Sequence, residues 1–303
     1  MKNIKKKFRK TINKMINKTK KFKQLKCSPL LNKHNQTKKL NNISCYNNKS
    51  LIKLRNYWNE RHPDKKILSN DPFEIWNDIK DNLKNVCNTE MCWLRQKFIE
   101  NNNKNLLDYF SPKAPESWKK NSSQWLSSID ISKVMHQYEK AYPNFNFIGP
   151  SPIDFDSKLL YDNCVWEELC KFNLKNYIKR NVNKIGIVFN VDPHYKSGTH
   201  WISLFIDIKN KFIFYFDSNG YQCPKEIKNL INMIQEQAKL LNIEFDYNDN
   251  SNLIHQKYDG QCGVYVLYFI IELLLENKTA NYFKTTRISD SEMKKYRSIY
   301  YNM

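Results

Sequence analysis

Among the eight cysteines of this 303-residue chain, Cys262 has the sequence surroundings that a nucleophilic thiol needs. It follows the turn at residues 258–261 (YDGQ) and opens an apolar segment that is predicted to be a helix. The N-terminus of a helix favours negative charge, and the thiolate is the reactive form of a cysteine. A buried, inert cysteine at a helix start would give the same local sequence, so a catalytic role needs support from other residues.

That support comes from His200 and Asp217, which lie at the outer ends of a predicted β-hairpin. His200 opens the segment 200–208 (HWISLFIDI) and Asp217 ends the segment 211–217 (KFIFYFD), with two residues between the segments. A tight turn between antiparallel strands brings their outer ends side by side, so we expect the two residues to be neighbours. An imidazole that takes the thiol proton and a carboxylate that orients the imidazole are what a cysteine hydrolase requires. Taken alone, each residue could equally be a surface histidine or a strand-end aspartate.

An oxyanion donor is the remaining part of such a site, and Gln256 is the candidate. It precedes Cys262 by six residues, and its side-chain amide can donate alongside the N–H group of Cys262. Gln261 is the rival, although as the immediate neighbour of Cys262 it is expected to point away. Trp201 is expected to pack beside His200 and shield the site, with a purely core role as the alternative.

The elements that position these residues are grouped strands flanked by helices, which is typical of an α+β fold. Beside the hairpin, residues 184–191 and 243–247 have the composition of strands, and helices are predicted over 224–241, 262–276 and 289–300. A helix capped by Asp71 with Pro72 at its first position, a helix over 90–100 and a helix capped by Ser122 or Ser123 are predicted upstream.

The N-terminal part of the chain differs from this region in charge. Residues 1–55 hold about 18 lysines and arginines and no acidic residue, whereas the remainder of the chain is close to neutral. Three regions are therefore predicted: a basic arm over residues 1–55 that builds no core, a helical domain over 56–118 and a catalytic domain over 119–303. The arm is either a solvated, disordered tail or a segment that binds nucleic acid by counterion release.

Composition excludes several classes of protein. The hydrophobic fraction of 41% indicates a folded chain. The longest apolar run, residues 264–275, is too short to cross a bilayer and contains Glu272, and the charged N-terminus lacks the apolar segment of a secretory signal. We therefore expect a reducing intracellular setting without disulfides. The cysteine spacings do not match a zinc site, so no metal and no cofactor is predicted.

The order His, Asp, Gln, Cys resembles that of the ubiquitin-like-protein-specific (SUMO) and adenovirus-type proteases. The resemblance is carried by His200-Trp201, Asp217-Ser218, Gln256 and residues 260–266 (GQCGVYV), and it covers residues 183–275. Residues 125–130, which begin with Trp-Leu, are similar to the segment that opens the SUMO-protease domain. Residues 150–156 (PSPIDFD) and 287–293 (RISDSEM), with the lysine-rich arm, are similar to proteases of large nucleocytoplasmic DNA viruses, including African swine fever virus and mimivirus relatives.

The resemblance implies a papain-like catalytic core with a helical N-terminal region and no cofactor. It implies a cysteine endopeptidase with Cys262 as nucleophile, His200 as base, Asp217 as orienting group and Gln256 in the oxyanion hole. The expected substrates are viral core polyproteins cleaved after Gly-Gly, in the virion and in viral factories of the host cytoplasm. A ubiquitin or SUMO deconjugase and a virion protein that binds nucleic acid through its arm are the alternatives. No membrane partner is expected, and the oligomeric state is left open.

Overall fold

The structure, a computed structural model, describes residues 21–30, 40, 43–99, 104–258 and 260–303. The chain forms two compact units, residues 1–111 and residues 112–303. Each unit has a hydrophobic core of its own.

The described part of the N-terminal unit is helical. It contains α1 (Asn48–Arg61), α2 (Pro72–Leu83), α3 (Glu90–Trp93), the 3-10 turn Lys97–Ile99 and α4 (Lys104–Leu107). The predicted start of α2 is confirmed, because the Asp71 carboxylate accepts the N–H groups of Phe73 and Glu74. The single helix predicted over residues 90–100 is wrong, since α3 ends at Trp93 and a 3-10 turn follows.

The end of the predicted basic arm belongs to this helical unit. Helix α1 begins at Asn48, and several of the arm's residues are buried, namely Leu40, Cys45, Tyr46, Leu51 and Leu54. The expectation that the arm builds no core is therefore wrong for these residues, because their apolar side chains join a core supplied mainly by the later helices. Residues 1–20, 31–39 and 41–42 lie outside the described residues. The domain bounds at residues 55 and 118 stay predictions.

A buried carboxyl group, that of Glu90, connects the elements of the N-terminal unit. It accepts hydrogen bonds from the Ser44 hydroxyl at 2.5 Å, the Cys45 N–H at 3.0 Å and the Trp76 indole at 2.7 Å. Burial raises the pKa of Glu90 to about 7, although all three hydrogen bonds favour the ionised form and lower it. The carboxyl group thus exchanges its proton near neutral pH inside the core.

The C-terminal unit is built around a five-stranded mixed sheet. In spatial order the strands are β1 (Phe145–Pro152), β2 (Lys184–Asn190), β3 (Trp201–Asp207), β4 (Phe212–Phe216) and β5 (Asp246–Asp249). β1 and β2 are parallel, as are β4 and β5, whereas β2–β3 and β3–β4 are antiparallel. The predicted hairpin is β3–β4, and the predicted α+β fold class is confirmed.

Strand β1 was not predicted, because its sequence contains Pro150 and Pro152. Proline lacks the N–H group that a central strand must donate and is tolerated at the edge of a sheet. β1 is such an edge strand and pairs with β2 alone, with an irregular register between Ile148 and Ser151.

Helices cover both faces of this sheet. They are α5 (Ser128–Ala141), α6 (Glu167–Cys170), α7 (Leu174–Lys179), α8 (Lys225–Lys239), α9 (Cys262–Leu274), α10 (Ala280–Thr285) and α11 (Asp290–Tyr300), with 3-10 turns at Glu116–Lys119 and Leu160–Asp162. α5 starts after Ser127, which forms a capping box with Asp130, so the predicted cap at Ser122 or Ser123 is wrong. Within the described ranges, none of the helices combines the length and the apolar character needed to cross a bilayer.

Helix α9 is the central helix of this unit. All 13 of its residues are buried, and it packs with Phe205, Phe214 and Phe216 on one face of the sheet. A helix that is apolar on every side can only be stable inside a core. Its C-terminus meets the buried ammonium group of Lys184, which donates to the carbonyl of Leu274 at 3.1 Å and so complements the negative end of the helix.

The expectation that the cysteines stay unpaired is wrong for six of them. The structure contains the disulfides Cys27–Cys45, Cys87–Cys92 and Cys164–Cys170. Spacing along the chain did not reveal these pairs because the fold, not the sequence separation, brings their side chains together. Cys223 and Cys262 are the free cysteines, and both are buried. The number of thiols that could act as a nucleophile is thereby reduced to two.

We expect the N-terminal unit to lose stability as pH rises through 7. The folded-state pKa of Glu90 lies above the ordinary value of 4.5, so its contribution is complete below pH 4.5 and is lost as the group ionises. The shift corresponds to a loss of about 3 kcal/mol, an order-of-magnitude figure. Hydrogen exchange of residues 43–99 between pH 5 and pH 9 measures the effect.

Glu90→Gln is the matched control, because it keeps the acceptor for Trp76 and cannot ionise. In this variant, the protection of residues 43–99 against hydrogen exchange should vary far less with pH. Equal pH dependence in the variant and the wild type would contradict the role of Glu90.

Candidate active site

Cys262 is the first residue of α9, as predicted. The turn before it depends on Gly260, whose φ of +95° lies in the left-handed region. A Cβ atom at this position would lie 2.2 Å from the Ser123 carbonyl oxygen, so only glycine fits. The turn therefore presents the thiol at the positive end of a fully buried helix.

The β3–β4 hairpin places His200 and Asp217 side by side. His200 directly precedes the first residue of β3, and Asp217 directly follows the last residue of β4. Their side chains meet at the same end of the hairpin, where His200 Nε2 lies 2.7 Å from Asp217 Oδ1. The two residues are thus adjacent in the structure, as their positions in the hairpin predicted.

The Cys262 side chain interacts with the His200 imidazole and favours its protonated form. Since Nε2 contacts Asp217, the other ring nitrogen, Nδ1, is the atom left for the thiol. Burial disfavours the imidazolium, but the hydrogen bond to Asp217 and the interaction with Cys262 outweigh it and raise the pKa of His200 to about 9. The histidine is therefore protonated at neutral pH, and a thiolate beside it would form an ion pair.

Backbone and amide groups that the sequence analysis did not single out hold Asp217 in place. The Asn250 side chain accepts the Asp217 N–H at 2.9 Å and donates to the Asp217 carbonyl at 2.7 Å. The Asn219 N–H donates to the same Asp217 oxygen that His200 contacts, at 2.7 Å. Asp217 is almost fully buried. These bonds fix the carboxylate, and through it the plane of the imidazole.

Gln256 is tied to the neighbour of Asp217 and not directly to the other predicted residues. Its side-chain oxygen accepts the Ser218 hydroxyl at 2.9 Å, and its N–H group donates to the Ser218 carbonyl at 2.8 Å. The amide oxygen is thus engaged, and the amide nitrogen is the group left to donate. That is the orientation an oxyanion donor needs.

Gln261, the rival for this role, is enclosed at the start of α9. It is 1% exposed, and neither its amide nitrogen nor its amide oxygen has a hydrogen-bond partner among the described residues. A substrate in the cleft cannot reach an enclosed amide without a rearrangement. Gln256 is therefore the better placed of the two glutamines.

His255 holds the segment that carries Gln256. It is fully buried, accepts the Ile288 N–H at Nδ1 and contacts the Phe283 carbonyl at Nε2. Burial lowers the pKa of His255 to about 4, so this second histidine stays neutral. Nothing in its local sequence distinguished it, because both of its partners come from a distant segment of the chain.

Trp201 joins the β3 strand to the segment that precedes α5. Its indole N–H donates to the Leu126 carbonyl at 2.9 Å. The preceding residue, Trp125, is 40% exposed and lines the same small cavity as Gly260. Trp125 thus lies beside the turn that precedes Cys262, whereas Trp201 is bound to the segment before α5.

Two comparisons of sequence agree with this geometry. The Ulp1 protease family, C-terminal catalytic domain, matches residues 172–303. An inferred thiol protease of Acanthamoeba polyphaga mimivirus is 29% identical over 284 residues, which cover 86% of this chain and 89% of the relative. A protein named SUMO-1 cysteine protease from African swine fever virus is 27% identical over 188 residues, which cover 59% of this chain and 68% of the relative.

A comparison of structure extends the likeness to nearly the whole chain. A crystal structure of the African swine fever virus protease superposes with a TM-score of 0.62, covering 92% of this chain and 96% of that chain at 21% identity. The predicted resemblance to the cysteine proteases of large DNA viruses is thereby confirmed. Residues 172–303 are therefore similar to the C-terminal catalytic domain of the Ulp1 protease family, and the chain is similar to the cysteine proteases of large DNA viruses.

Proposed function

We propose that this chain is a cysteine endopeptidase with Cys262 as nucleophile, His200 as acid and base and Asp217 as orienting group. The observation that supports it most is that one imidazole hydrogen-bonds the carboxylate and interacts electrostatically with the thiol at the start of a buried helix. The thiolate attacks the scissile carbonyl, and the His200 imidazolium gives its proton to the leaving amine. Water then hydrolyses the acyl-enzyme, with His200 accepting a proton from the water.

The oxyanion of the tetrahedral intermediate accepts hydrogen bonds from the Cys262 N–H group and the Gln256 amide nitrogen. Both donors are fixed before the substrate binds, since the helix start orients the first and Ser218 orients the second. Preorganised donors of this kind stabilise a transition state without reorganising during the reaction. No step requires a metal or a cofactor.

The proposed substrates are viral core polyproteins with Gly-Gly before the scissile bond, processed in the virion and in viral factories of the host cytoplasm. The likeness to viral proteases supports the setting. A Gly-Gly preference would fit a narrow cleft over the thiol, since residues without side chains need the least room. Trp201, which is fixed to the Leu126 carbonyl, and Trp125, which lines the same cavity as Gly260, are the bulky side chains on the segments next to the site.

A deconjugase for ubiquitin-like modifiers is the second candidate. The match to the Ulp1 family favours it, as does the description of the African swine fever virus relative as a SUMO-1 cysteine protease. The chemistry of the site is the same in both cases, because each reaction cleaves an amide after a glycine. The two candidates differ in what binds outside the cleft, namely a folded modifier or an extended polyprotein segment.

A nucleic-acid partner is a proposal that rests on charge alone. Residues 1–111 contain 26 lysines and arginines against 9 acidic residues, so most of the net charge of +20 lies in the N-terminal unit. Such a unit attracts phosphate backbones by counterion release. Binding of this kind would hold the protease on a viral genome without taking part in catalysis.

Loss of the thiol or the imidazole should abolish selective labelling. With an alkylating probe at pH 7, we expect fast modification confined to Cys262 in the wild type and none at that site in Cys262→Ala. His200→Ala should slow the labelling by at least about 10²-fold, since general-base partners contribute 10²–10⁴-fold. Mass mapping of the modified peptides measures both.

The matched control is Cys223→Ala, because Cys223 is the other free, buried thiol. Burial raises the pKa of Cys223 to about 12, so the variant should label at the wild-type rate. Labelling that is slow and spread over both thiols would contradict the proposal.

The pH dependence of kcat/KM reports the state of His200. The pKa of His200 is raised to about 9, so the proton donor for the leaving amine is present at neutral pH and is lost as pH rises through about 9. Asp217→Asn removes the carboxylate that raises this pKa, and the alkaline limb should move to lower pH. Values of kcat/KM measured from pH 5 to pH 10 test this. An alkaline limb at the same pH in Asp217→Asn and in the wild type would exclude Asp217 as the partner of His200.

Peptide cleavage distinguishes the two candidate functions. A short fluorogenic peptide ending in Gly-Gly should be cleaved at a rate comparable to SUMO or ubiquitin that carries the same reporter. Replacing the glycine next to the scissile bond by alanine should lower kcat/KM by about 10–10²-fold, because an extra methyl group in a closed cleft costs about 1–3 kcal/mol. A rate that is much higher on a folded modifier would favour the deconjugase instead.

Salt-dependent binding tests the nucleic-acid proposal. Double-stranded DNA should bind the full chain with an affinity that falls steeply as salt rises. Removal of residues 1–20, which carry nine lysines and arginines, should reduce that slope and leave peptide cleavage intact. Binding that is weak at low salt, or unchanged by the truncation, would contradict a role for this segment.

A further inference from the structure

Helix α11 carries a buried cation close to the active-site turn. Arg297 is 2% exposed, and its guanidinium contacts backbone carbonyls from two separate segments. Nη1 donates to Ser122 at 3.1 Å and to Gln124 at 2.7 Å, and Nη2 donates to Gly260 at 2.8 Å. One side chain thus joins the segment before α5 to the turn before Cys262.

No carboxylate in the described part of the chain forms an ion pair with Arg297. The ring of Trp118 lies 4.5 Å from the guanidinium carbon, and the Nε–H group has no hydrogen-bond partner. Burying a cation without a countercharge costs several kcal/mol. Burial lowers the pKa of Arg297, while Tyr301, Cys262 and Asp130 act against that shift. The guanidinium nevertheless stays charged at any working pH. A purely structural clamp could be built from neutral groups at lower cost.

The carbonyls that Arg297 binds belong to the segment before α5 and to the turn before Cys262. Ser122 and Gln124 lead into Trp125 and Leu126, and the Leu126 carbonyl holds the Trp201 indole. Gly260 leads into Gln261 and Cys262. The two segments are in direct contact, since a Cβ on Gly260 would meet the Ser123 carbonyl at 2.2 Å. The clamp therefore holds the turn before the nucleophile against the segment before α5.

The Gly260 carbonyl lies close in sequence to the oxyanion donor. It is part of the Gly260–Gln261 peptide, and the next peptide carries the Cys262 N–H. Rotation of the first peptide would turn the second, because the helix after Cys262 is locked in the core. Holding this carbonyl by a charge-assisted hydrogen bond keeps the N–H aimed at the cleft.

We propose that Arg297 is a positioning residue of the protease, which orients the Cys262 N–H group through its hydrogen bond to the Gly260 carbonyl. The proposal rests on the catalytic roles proposed above for Cys262 and His200. The residue acts through Gly260 and does not touch the substrate. Its contribution should therefore appear in kcat and not in substrate binding.

The test compares Arg297→Met, which keeps the stem and removes the charge, with Arg297→Lys, which keeps the charge and loses the planar fork. The measurements are kcat and KM on the Gly-Gly peptide and the temperature of thermal unfolding. Tyr300→Phe is the matched control on the same helix, because the buried Tyr300 hydroxyl has no hydrogen-bond partner among the residues that the structure describes. It should behave as the wild type does in all three measurements.

Arg297→Met should lower kcat by about 10²-fold with little change in KM, the size expected when one oxyanion donor is misplaced. Arg297→Lys should recover part of this loss and leave kcat reduced by about tenfold, since the ammonium cannot hold the carbonyls of both segments at once. A merely structural residue would change the unfolding temperature and leave kcat of the folded variant at the wild-type value.

Gly260→Ala tests the same clamp without altering the charge, and it serves if Arg297→Met does not fold. Its Cβ would push the turn away from Ser123, so kcat should fall with little change in KM. A wild-type kcat in a folded Arg297→Met variant would overturn the proposal. The proposed function fails in a different way, namely if labelling of Cys262 in the wild type does not depend on His200. The two failures can therefore be told apart.

Discussion

The site depends on one constraint, the burial of α9 against the sheet with a cysteine as its first residue. Since every residue of this helix is in the core, its N-terminus cannot shift without disturbing the strands it packs on. The β3–β4 hairpin is one of those packing partners, and it carries His200 and Asp217 at its end. The thiol, the imidazole and the carboxylate are therefore placed by the same hydrophobic core. A loop-borne nucleophile would lack this coupling between packing and chemistry.

Hydrogen bonds from polar groups then fix the orientation of side chains that the hydrophobic packing places only approximately. Asn250 and Asn219 hold Asp217, Ser218 holds Gln256, and His255 holds the segment before it. At the far end of α9, the Lys184 ammonium meets the carbonyls of the last turn, so the helix has a cation at its C-terminus and a thiol at its N-terminus. Both arrangements follow the polarity of the helix dipole. Arg297 fits the same scheme, because its charge and its carbonyl contacts act on the turn that precedes the thiol.

The sequence predicted the parts of the site that have local signatures. The β-rich composition of β3 and β4 and the short turn between them placed His200 beside Asp217, and the apolar run after Cys262 indicated a buried helix. The sequence did not predict β1, since its prolines are tolerated at the sheet edge alone, or the contribution of residues 43–55 to the N-terminal core. It also excluded disulfides on the basis of the expected compartment, whereas the fold joins three pairs of cysteines. Asn250, His255 and Arg297 could not be singled out, because their partners lie 28 or more residues away along the chain.

In the proposed mechanism, Cys262 attacks the scissile carbonyl while its own N–H group and the Gln256 amide bind the oxyanion. A crystal structure of the protein treated with a peptide aldehyde ending in Gly-Gly tests it most directly, because the aldehyde forms a tetrahedral adduct on the nucleophilic sulfur. We expect a bond between the aldehyde carbon and Cys262 Sγ. The adduct oxygen should lie within hydrogen-bond distance of both the Cys262 N–H and the Gln256 amide nitrogen, and His200 Nδ1 should face the sulfur. An adduct on Cys223, or an oxygen directed away from both donors, would contradict the assignment of the site.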